Sequence, residues 1–472
     1  KLSADWRYDK LKLRIIPVRQ RRTVSLRNRT AIFLILLSGL ITGLTWSTVQ
    51  PVRVQSNYQQ VSHLLAALGL VIFAWIFFIA TRNRWVDRLF CGVDKAYVYH
   101  KYLSIAALAL VWIHQLTIDL GKIRVVRTVQ TEAPRLFGVR IRDIGEGAAE
   151  YSLLLFSGLA VLAIVAVKLD YQKWKLLHKL MLVPFFLGVI HYYISSRYLV
   201  FAFNPFSLWM NFIILVGVLS AVYSVFLYER TAFRYRYRVA QLREVAAGAL
   251  EITATAIGEE LRYKPGQFAF LKIAGKEDIF PSHPFTISSA PRPGQIQFTV
   301  KALGDHTAAL QKALRPGDVI ALSGPHGGFD YQAGAKRQVW VAGGIGITPF
   351  RSFLQAPVPP DYQVDLFYAY ANAADGAYAE ELKGMELPEN LRIHLINSEE
   401  AGFLKVEDIT RCVGDSPFDL YFCGPSPMRK YLQKGLAQTQ CALQAFHFEK
   451  FQFKGAGVFS VLDRFFPRRA KA

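Results

Sequence analysis

Six apolar runs in the first half of this 472-residue chain constrain its fold more than any other feature. The runs lie near residues 31–49, 60–80, 97–118, 151–168, 174–195 and 207–228. Each holds roughly 20 residues, which is enough for a helix to cross a hydrocarbon core of about 30 Å. The sequence therefore predicts a six-helix transmembrane bundle.

Basic residues near the ends of these runs indicate how the chain is oriented. The first 30 residues carry ten Lys and Arg against two Asp, and such a surplus marks the cytoplasmic side of a membrane. An even number of spans then places the chain after Glu229 in the cytoplasm as well. The segment from Lys122 to Arg142, which would lie outside, carries six basic residues and counts against this orientation. We expect a multi-pass protein of the plasma (cytoplasmic) membrane.

Composition disfavours two other classes of protein. A net charge of +21 would suit a nucleic-acid-binding chain, but the basic residues here flank apolar runs, so we expect membrane lipid and no nucleic acid as a partner. The four cysteines lack the paired spacing of zinc or iron–sulfur ligands. The sequence predicts no oligomeric state.

Four histidines lie inside the predicted spans, where an imidazole is costly unless it is paired or bound to something. His100 and His114 lie on the third run, and His178 and His191 lie on the fifth. Both runs cross in the same direction, so His100 shares a depth with His178, and His114 with His191. Separations of 14 and 13 residues correspond to about 21 and 20 Å along a helix. The pattern predicts two ligand pairs, one near each face.

Haem is the group that best suits a pair of imidazoles between helices in lipid, because its iron takes two axial nitrogens. The alternative is four separate histidines bonded to backbone carbonyls, but matched depths on parallel helices favour ligand pairs. Zinc or di-iron fits less well, since no carboxylate or third ligand accompanies the pairs. On an ideal helix His191 lies about 140° from His178. We expect Pro184, between them, to kink or rewind the span.

Strand patterns with turn punctuation after the sixth run predict a small antiparallel barrel. Two of its motifs, HPFTISS and GDHT, could meet a flavin ring and a diphosphate. A turn-rich barrel without a ligand would show the same pattern. The motifs and a lysine before GDHT offer hydroxyls, a glycine for close backbone approach and a positive charge: Thr286, Ser288, Ser289, Lys301, Gly304 and Thr307.

The final third alternates strand and helix patterns, which predicts a parallel sheet. RQVWVAGGIGITPFRSFL reads as an apolar strand, a turn with three glycines at 343, 344 and 346, and a helix begun by Thr348 and Pro349. Glycines let a backbone approach phosphate, and a helix N-terminus favours its charge. The spacing departs from G-x-G-x-x-G, so the turn alone is weak evidence for a nucleotide.

Two further strands, VDLFYAY and FDLYFCGP, are expected to complete this sheet. The second places Cys423 at the carboxyl end of a strand, where ligands of parallel sheets bind. A buried structural cysteine is the alternative interpretation.

These motifs, in this order, resemble the NADPH oxidase and ferric reductase family, which are membrane cytochromes b fused to a ferredoxin–NADP reductase-like module. The resemblance covers roughly residues 60–453 and rests on the paired histidines, HPFTISS, GGIGITP and the CGP turn. It implies that His100 and His178 hold an inner haem b, and that His114 and His191 hold an outer one.

The resemblance also implies contacts for FAD and for a nicotinamide nucleotide. HPFT matches the flavin motif, with its threonine near the isoalloxazine, and GPHGG, residues 324–328, matches a further flavin-side turn. The implied flavin contacts are His283, Pro284, Phe285, Thr286, Ser288, Ser289, Lys301, Gly304, Thr307 and Gly327. The implied nucleotide contacts are Gly343, Gly344, Ile345, Gly346, Thr348, Pro349, Cys423, Gly424 and Pro425.

The chain departs from the family pattern in two places. Members often end on an aromatic residue that covers the flavin, and Glu449 and Phe451 in FHFEKFQFK resemble that ending best. Here the chain continues through an amphipathic, basic extension at 454–472, which leaves open which Phe stacks on the flavin. After VDLFYAY, the segment ANAADGAY offers no positive charge for the 2′-phosphate of NADPH, so NADH is possible as well.

The implied reaction passes hydride from the nucleotide to FAD, then single electrons through the inner and outer haems to an acceptor outside. Oxygen, reduced to superoxide at the haem edge, is the expected acceptor. Arg197 could stabilise the anion, or only snorkel to the interface. The catalytic residues implied are thus Phe451, Cys423 and Arg197. A ferric chelate drawn to the basic segment from Lys122 to Arg142, or a partner protein, is the alternative acceptor.

The sequence thus predicts a six-helix transmembrane bundle, then an antiparallel β-barrel for flavin and an α/β parallel-sheet domain for nucleotide. The expected parts are a basic segment 1–30, a di-haem transmembrane domain 31–230, an FAD-binding barrel 231–332, an NAD(P)H-binding domain 333–453 and the extension 454–472.

Overall fold

The computed structural model describes residues 26–49, 56–122, 135–136, 139–165, 171–196, 200–276 and 282–449. Within these ranges, six helical spans are long and apolar enough to cross a membrane. An antiparallel sheet and then a parallel sheet follow along the chain. The predicted order of bundle, antiparallel barrel and parallel-sheet domain is confirmed.

Local sequence signals fix where several of the bundle helices begin. Ser56 and Gln59 form a reciprocal capping box at the second long helix. The Asn204 side chain caps the last long helix, which has a proline at its first position. The helices are α1 Leu26–Ser47, α2 Asn57–Ala80, α3 Arg84–Phe90, α4 Val93–Lys122, α5 Ile141–Val165, α6 Tyr171–Lys179, α7 Leu182–Ser195, α8 Pro205–Val222 and α9 Tyr228–Thr231. A short hairpin, β1 Arg135–Leu136 with β2 Val139–Arg140, precedes α5, and a π-helical turn joins α8 to α9.

The fifth span is interrupted between Lys179 and Leu182, which confirms the rewinding expected near Pro184. Pro184 has no N–H to donate to the carbonyl of Leu180, four residues earlier. The chain tightens there instead: Leu180 donates to Leu177 at 3.1 Å, Met181 to His178 at 3.1 Å and Val183 to Leu180 at 2.9 Å. These bonds span three residues rather than four, so α7 is rotated relative to α6.

Small and aromatic side chains pack the centre of the bundle. Phe185 of α7 lies against Phe77 of α2 with ring centroids 4.8 Å apart. A Cβ on Gly217 of α8 would lie 3.2 Å from the Cβ of Ala74, so glycine lets α8 approach α2 closely. Many leucines and phenylalanines on the outer faces are exposed. An outward apolar surface of this kind suits lipid contact.

We call the predicted flavin-binding barrel the flavin domain and the predicted nucleotide-binding domain the nucleotide domain. The flavin domain is a six-stranded antiparallel sheet in the order β6-β5-β8-β3-β4-β7. Its first strand alternates buried Tyr235 and Tyr237 with exposed arginines, as expected for a sheet with one face in the core. Ile287 bridges to Phe298 in β7 and brings the two ends of the sheet together. The elements are β3 Tyr235–Ala246, β4 Ala249–Ile257, β5 Phe268–Ile273, β6 His283–Thr286, β7 Gln295–Lys301, α10 Asp305–Ala313 and β8 Val319–His326.

The nucleotide domain is a five-stranded parallel sheet in the order β11-β10-β9-β12-β13. The order reverses between β9 and β12, which places a crevice at their carboxyl ends. The predicted strands RQVWVAG, VDLFYAY and FDLYFC are present, while β11 and β13 were not predicted. The elements are β9 Arg337–Gly343, α11 Thr348–Leu354, β10 Gln363–Tyr370, α12 Ala379–Lys383, β11 Leu391–Asn397, α13 Ser398–Ala401, α14 Val406–Val413, β12 Phe418–Cys423, α15 Ser426–Gln438 and β13 Leu443–Phe448.

A buried arginine joins the flavin and nucleotide domains. Arg351 of α11 donates to both carboxylate oxygens of Glu381 at 2.8 and 3.1 Å. It also lies 3.3 Å from Glu251 of β4, with its guanidinium 4.1 Å from the ring centroid of Tyr378. A buried charge satisfied by partners on both sides holds the two domains in one arrangement.

Candidate functional site

The four histidines of the bundle lie in two facing pairs. The ring centroids of His100, on α4, and His178, on α6, are 5.9 Å apart. Those of His114, on α4, and His191, on α7, are 6.2 Å apart. With metal–nitrogen bonds of about 2.0 Å on both sides, two axial imidazoles have centroids roughly 6 Å apart. Both pairs therefore have the separation of axial ligands to one metal atom.

Three of these rings are oriented by hydrogen bonds from Nδ1. His100 donates to the carbonyl of Ile76 at 3.2 Å, His114 to that of Ser62 at 2.8 Å and His191 to that of Gly145 at 3.0 Å. A carbonyl oxygen only accepts, so Nδ1 carries the proton and Nε2 is left as the ligand atom. The Nδ1 atom of His178 has no hydrogen-bond partner among the described residues.

The two pairs lie at different distances from the flavin domain. Val93, at the start of α4, shares an apolar cluster with Phe268 and Phe270 of β5. His100 lies two helical turns beyond Val93, and His114 lies four turns beyond His100. We call His100 and His178 the flavin-proximal pair, and His114 and His191 the flavin-distal pair. The break before α7 lets two residues 13 positions apart both face α4.

The donor set of each pair suits haem better than a fully protein-bound ion. In the described part of the chain, the one group of three close potential metal ligands is Asp365, His394 and Cys412, in the nucleotide domain. Neither histidine pair belongs to it, so each pair would offer a metal two imidazole nitrogens and no third ligand from the described residues. His100 with His178, and His114 with His191, would therefore suit haem, whose ring supplies the remaining ligands of its iron.

The cluster of Asp365, His394 and Cys412 is explained by an ion pair. Asp365 accepts from Nε2 of His394 at 3.0 Å and is ion-paired with the guanidinium of Arg337. Burial alone would raise the pKa of Asp365, but hydrogen bonds from His394, Cys412 and Arg337 lower it to about 2. The carboxylate is therefore already satisfied by the chain itself.

The HPFT motif forms β6, which pairs with β5. His283, Pro284 and Phe285 are half-buried and Thr286 is buried. The hydroxyl groups of Ser288 and Ser289 are used inside the barrel. Ser288 accepts from Thr299 at 3.0 Å, and Ser289 accepts from the backbone amide of Gln297 at 3.1 Å.

The GDHT motif begins α10 and brings two features that sequence reasoning missed. The Thr307 hydroxyl accepts from the amide of Gly304 at 3.2 Å and caps the helix. The imidazole of His306 stacks on that of His283, with centroids 3.5 Å apart and planes 17° apart. Burial and the neighbouring ring lower the pKa of His306 to about 4, so His306 is uncharged at neutral pH. The two stacked rings thus join the HPFT motif to the GDHT motif.

Lys301 carries the positive charge expected at the diphosphate, and the structure pairs it with a carboxylate. Its Nζ atom lies 2.7 Å from Oδ1 of Asp375, in the ANAADGAY segment of the nucleotide domain. The amide of Ala247 also donates to the carbonyl of Ala374 in that segment. Lys301 thus links the two soluble domains, and the sequence carried no signal for this pairing.

The GPHGG turn lies where the flavin domain meets the bundle. The amide of Gly327 donates to Oδ1 of Asp87, on α3, at 3.1 Å. Gly327 has a left-handed φ of +99°, which favours glycine, and a Cβ there would lie 2.8 Å from Oε1 of Glu449. His326, beside it, is buried between Phe268 and Phe270.

The GGIGITP and CGP turns meet at the carboxyl ends of β9 and β12. A Cβ on Gly346 would lie 2.2 Å from the carbonyl oxygen of Cys423, and one on Gly343 would lie 2.7 Å from Pro425. Gly344 has a left-handed φ of +55°. The remaining predicted contacts, Ile345, Thr348, Pro349 and Gly424, belong to the same two turns.

Cys423 and Glu449 are two buried ionisable groups beside these turns. Burial raises the pKa of the Cys423 thiol well above its usual range. Both carboxylate oxygens of Glu449 are shielded from solvent and lack a hydrogen-bond partner among the described residues. Burial also raises the pKa of Glu449 well above its usual range. A buried, unsatisfied carboxyl group between Gly327 and Cys423 marks a position where a ligand could bind.

Several predicted residues lie outside the described ranges. These are Phe451, Arg197 and the extension at 454–472. Their proposed roles remain predictions.

Three family models match the chain in the order of its parts. A model described as a ferric reductase like transmembrane component matches residues 65–189. One described as an FAD-binding domain matches residues 234–335. One described as an oxidoreductase NAD-binding domain matches residues 340–434.

Individual relatives match less than half of this chain. The toluate 1,2-dioxygenase electron transfer component of Pseudomonas putida is 22% identical, over 46% of this chain and 67% of its own length. The propane 2-monooxygenase reductase component of Rhodococcus jostii is 30% identical, over 35% of this chain and 49% of its own. The chain thus spans between about half and two thirds of these relatives.

Among solved structures, the FAD/NAD-binding domain of nitric oxide dioxygenase from Vibrio cholerae is 18% identical with a TM-score of 0.39, over 45% of this chain and 98% of that one. The three family models follow one another in the same chain. A ferric reductase-like membrane component is followed by FAD-binding and NAD-binding domains. The chain has the domain architecture of the NADPH oxidase and ferric reductase family.

Proposed function

We propose that this transmembrane oxidoreductase passes electrons from cytoplasmic NADPH or NADH, through FAD and two bis-histidine b haems, to an acceptor on the opposite face of the plasma membrane. The observation that carries the proposal is the presence of two facing histidine pairs at two depths of one bundle, the nearer one beside a flavin domain. When bound, the flavin and haems supply the hydride-accepting and one-electron chemistry. The chain binds and orients them.

The residues between the flavin domain and the flavin-proximal pair support a short route for electrons. Arg82, which follows α2, lies over the rings of Tyr97, Tyr228 and Phe270, at 5.6, 4.9 and 5.1 Å from their centroids. These rings come from α4, α9 and β5. One cation therefore joins the bundle to the barrel at the end where His100 lies.

The crevice at β9 and β12 supports binding of a nicotinamide ring next to the flavin. Gly346 allows the glycine turn to pack on Cys423, and Gly327 leaves space for Glu449. We infer that Glu449 is protonated there and donates a hydrogen bond to the bound ligand.

The edge of the nucleotide domain supports NADH as well as NADPH. The segment from Ala371 to Tyr378, after β10, carries Asp375 and no basic residue, and Asp375 is paired with Lys301. Glu399 and Glu400, after β11, are exposed carboxylates. Carboxylates bond a ribose 2′-hydroxyl but repel a 2′-phosphate.

Oxygen, reduced to superoxide, is the acceptor we favour. Two axial imidazoles at each iron would leave no coordination position for oxygen, so oxygen would be reduced at the haem edge near the flavin-distal pair. A ferric chelate is the second candidate, because the segment from Lys122 to Arg142 carries six basic residues that would attract an anion. A partner protein that takes the electrons is the third.

The test is cytochrome c reduction by the purified, haem- and FAD-loaded full chain, driven by NADPH or NADH. Reduction abolished by superoxide dismutase would support the superoxide-producing activity. Rapid reduction of a ferric chelate under argon, with little dismutase-sensitive reduction, would overturn it in favour of metal reduction.

The matched control is His191→Ala, which removes a ligand of the flavin-distal pair only. Flavin reduction by the nucleotide should be unchanged, because the crevice at Cys423 is intact. Electron delivery to the acceptor should fall roughly 100-fold or more, as expected when a ligand of an essential metal is lost. Equal acceptor reduction in the variant would show that electrons leave from the flavin rather than from the haems.

A further inference from the structure

The two histidine pairs differ in how their rings are held. Three of the four imidazoles donate Nδ1–H to a backbone carbonyl. Among the described residues, Nδ1 of His178 finds no such acceptor, and its ring instead lies flat against the indole of Trp174. The two ring centroids are 4.9 Å apart and the planes differ by 9°. We propose that Trp174 is the positioning residue that holds His178 in its ligating orientation, in place of the missing hydrogen bond.

Trp174 is held by its own hydrogen bond, and helix α6 is held by a second bond at the next residue. It lies one helical turn before His178 on α6, so the two side chains share a face of that helix. Its Nε1 donates to the carbonyl of Ala163, near the end of α5, at 3.3 Å. One residue later, Lys175 donates to Glu229 of α9 at 2.6 Å. The indole is therefore anchored to a neighbouring helix and can transmit that position to the imidazole.

The local backbone explains why His178 needs such a support. α6 has nine residues and ends one residue after His178. Beyond it the chain passes through the tightened turn at Leu180 and Met181 before α7 begins. A side chain in the last turn of a short helix is less restrained than one within α4. For the other three histidines, a backbone carbonyl restricts the orientation of the ring. For His178, stacking on the fixed indole of Trp174 restricts it instead.

This inference rests on the proposed function, because it concerns the ligand of a bound haem. The test uses the full chain purified in detergent with haem. Trp174→Leu fills much of the volume without an aromatic face, and Trp174→Phe restores a stacking ring without the Nε1 donor. Trp209→Leu is the matched control, because the Trp209 indole bonds to Thr42 and links α8 to α1.

Three readouts separate ligand positioning from general packing: the spin state of the ferric haems, carbon monoxide binding by the dithionite-reduced protein, and the rate of haem transfer to apomyoglobin. In Trp174→Leu, half of the haem should become high-spin and bind carbon monoxide. Transfer of that half of the haem to apomyoglobin should be roughly 10- to 100-fold faster, which is the usual effect of losing a residue that supports a metal ligand. Trp209→Leu should resemble the unsubstituted chain. Trp174→Phe keeps a stacking ring but loses the Nε1 anchor, so its defect should be present but smaller than that of Trp174→Leu.

Two results would overturn the proposal. One is Trp174→Leu with both haems six-coordinate and with unchanged haem transfer. The other is an equal defect in Trp174→Phe or Trp209→Leu, which would mean that loss of packing alone is responsible. If Trp174→Leu does not accumulate, Trp174→Phe is compared with Trp209→Leu. A defect in Trp174→Phe no larger than that in Trp209→Leu would then overturn the proposal. Failure of the unsubstituted chain to bind two haems would instead refute the proposed function.

Discussion

The amide of Gly327 donates a hydrogen bond to Oδ1 of Asp87 at 3.1 Å and so joins the flavin domain to helix α3 of the bundle. The amide of Val93, at the start of α4, donates to the same oxygen at 3.2 Å. One carboxylate thus fixes a flavin-side turn and the helix that carries His100 and His114. Burial raises the pKa of Asp87 despite these two bonds, so the contact lies in a region of low solvent access.

Asp87→Ala should uncouple the flavin from the flavin-proximal haem. Loss of the shared acceptor lets the Gly327 turn move relative to α4, and a shift of about 1 Å can cost roughly 100-fold in a rate that depends on geometry. Stopped-flow absorbance should show normal flavin reduction by the nucleotide, followed by haem reduction at least about tenfold slower. Arg88→Gln, an exposed change on the same helix, should leave both phases unaltered. Equal rates in Asp87→Ala would mean that other contacts set the junction.

Arg82→Gln should lower the reduction potential of one haem and leave the other unchanged. Arg82 lies in the ring cluster of Tyr97, Tyr228 and Phe270, next to the flavin-proximal pair. A fixed positive charge there stabilises an added electron. We expect about a tenfold loss in the equilibrium constant for reduction, which is about 59 mV for one electron. A spectroelectrochemical titration in which both haems shift equally, or neither shifts, would contradict this.

The bundle was predictable because lipid imposes a length and a composition on every span. The depth match of His100 with His178 also followed from spacing alone. The rotation that brings His191 round to face His114 did not, because it depends on the three-residue hydrogen bonds near Pro184. A proline in the sequence predicts that a helix is kinked or rewound. The direction of the kink depends on how the helix packs against its neighbours.

The nucleotide turns were predictable from their glycines, which have a local conformational cause. Partnerships between distant segments were not. Neither the pairing of Lys301 with Asp375 nor the stacking of His283 on His306 leaves a periodic trace in the sequence. β11 and β13 were missed because HLIN and QAFHF mix apolar and polar residues without the continuous apolar run of β9.

Substitutions of Lys301 and of Asp375 should change FAD affinity differently if Lys301 contacts the diphosphate. Lys301→Met removes the positive charge and should weaken FAD binding by roughly tenfold. Asp375→Asn removes the competing carboxylate, so Lys301 can turn to the phosphate and binding should be unchanged or tighter. Flavin fluorescence titration of the full chain measures both. Matching losses in the two variants would show that the ion pair acts only as a link between domains.

Glu449→Gln should change how the stability of the protein depends on pH. The native chain holds the Glu449 proton more tightly than the unfolded chain does, since burial raises the pKa above its ordinary 4.5. Wherever the native state binds more protons, the free energy of unfolding falls as pH rises. The unsubstituted chain should therefore lose stability from about pH 4.5 upward, until the native pKa is passed.

The amide of Glu449→Gln cannot ionise, so that loss should be absent from the variant. At pH 5 the thermal midpoints of variant and unsubstituted chain, followed in detergent without FAD, should nearly coincide. At pH 8 the variant should be the more stable, with its midpoint higher by roughly 2–4 °C for each kcal/mol of relieved burial cost. Glu400→Gln, at an exposed position, should keep the original pH dependence. Parallel pH profiles for Glu449→Gln and the unsubstituted chain would show that Glu449 is ionised and stabilised by a charge, in which case it could not donate the hydrogen bond proposed for the nucleotide crevice.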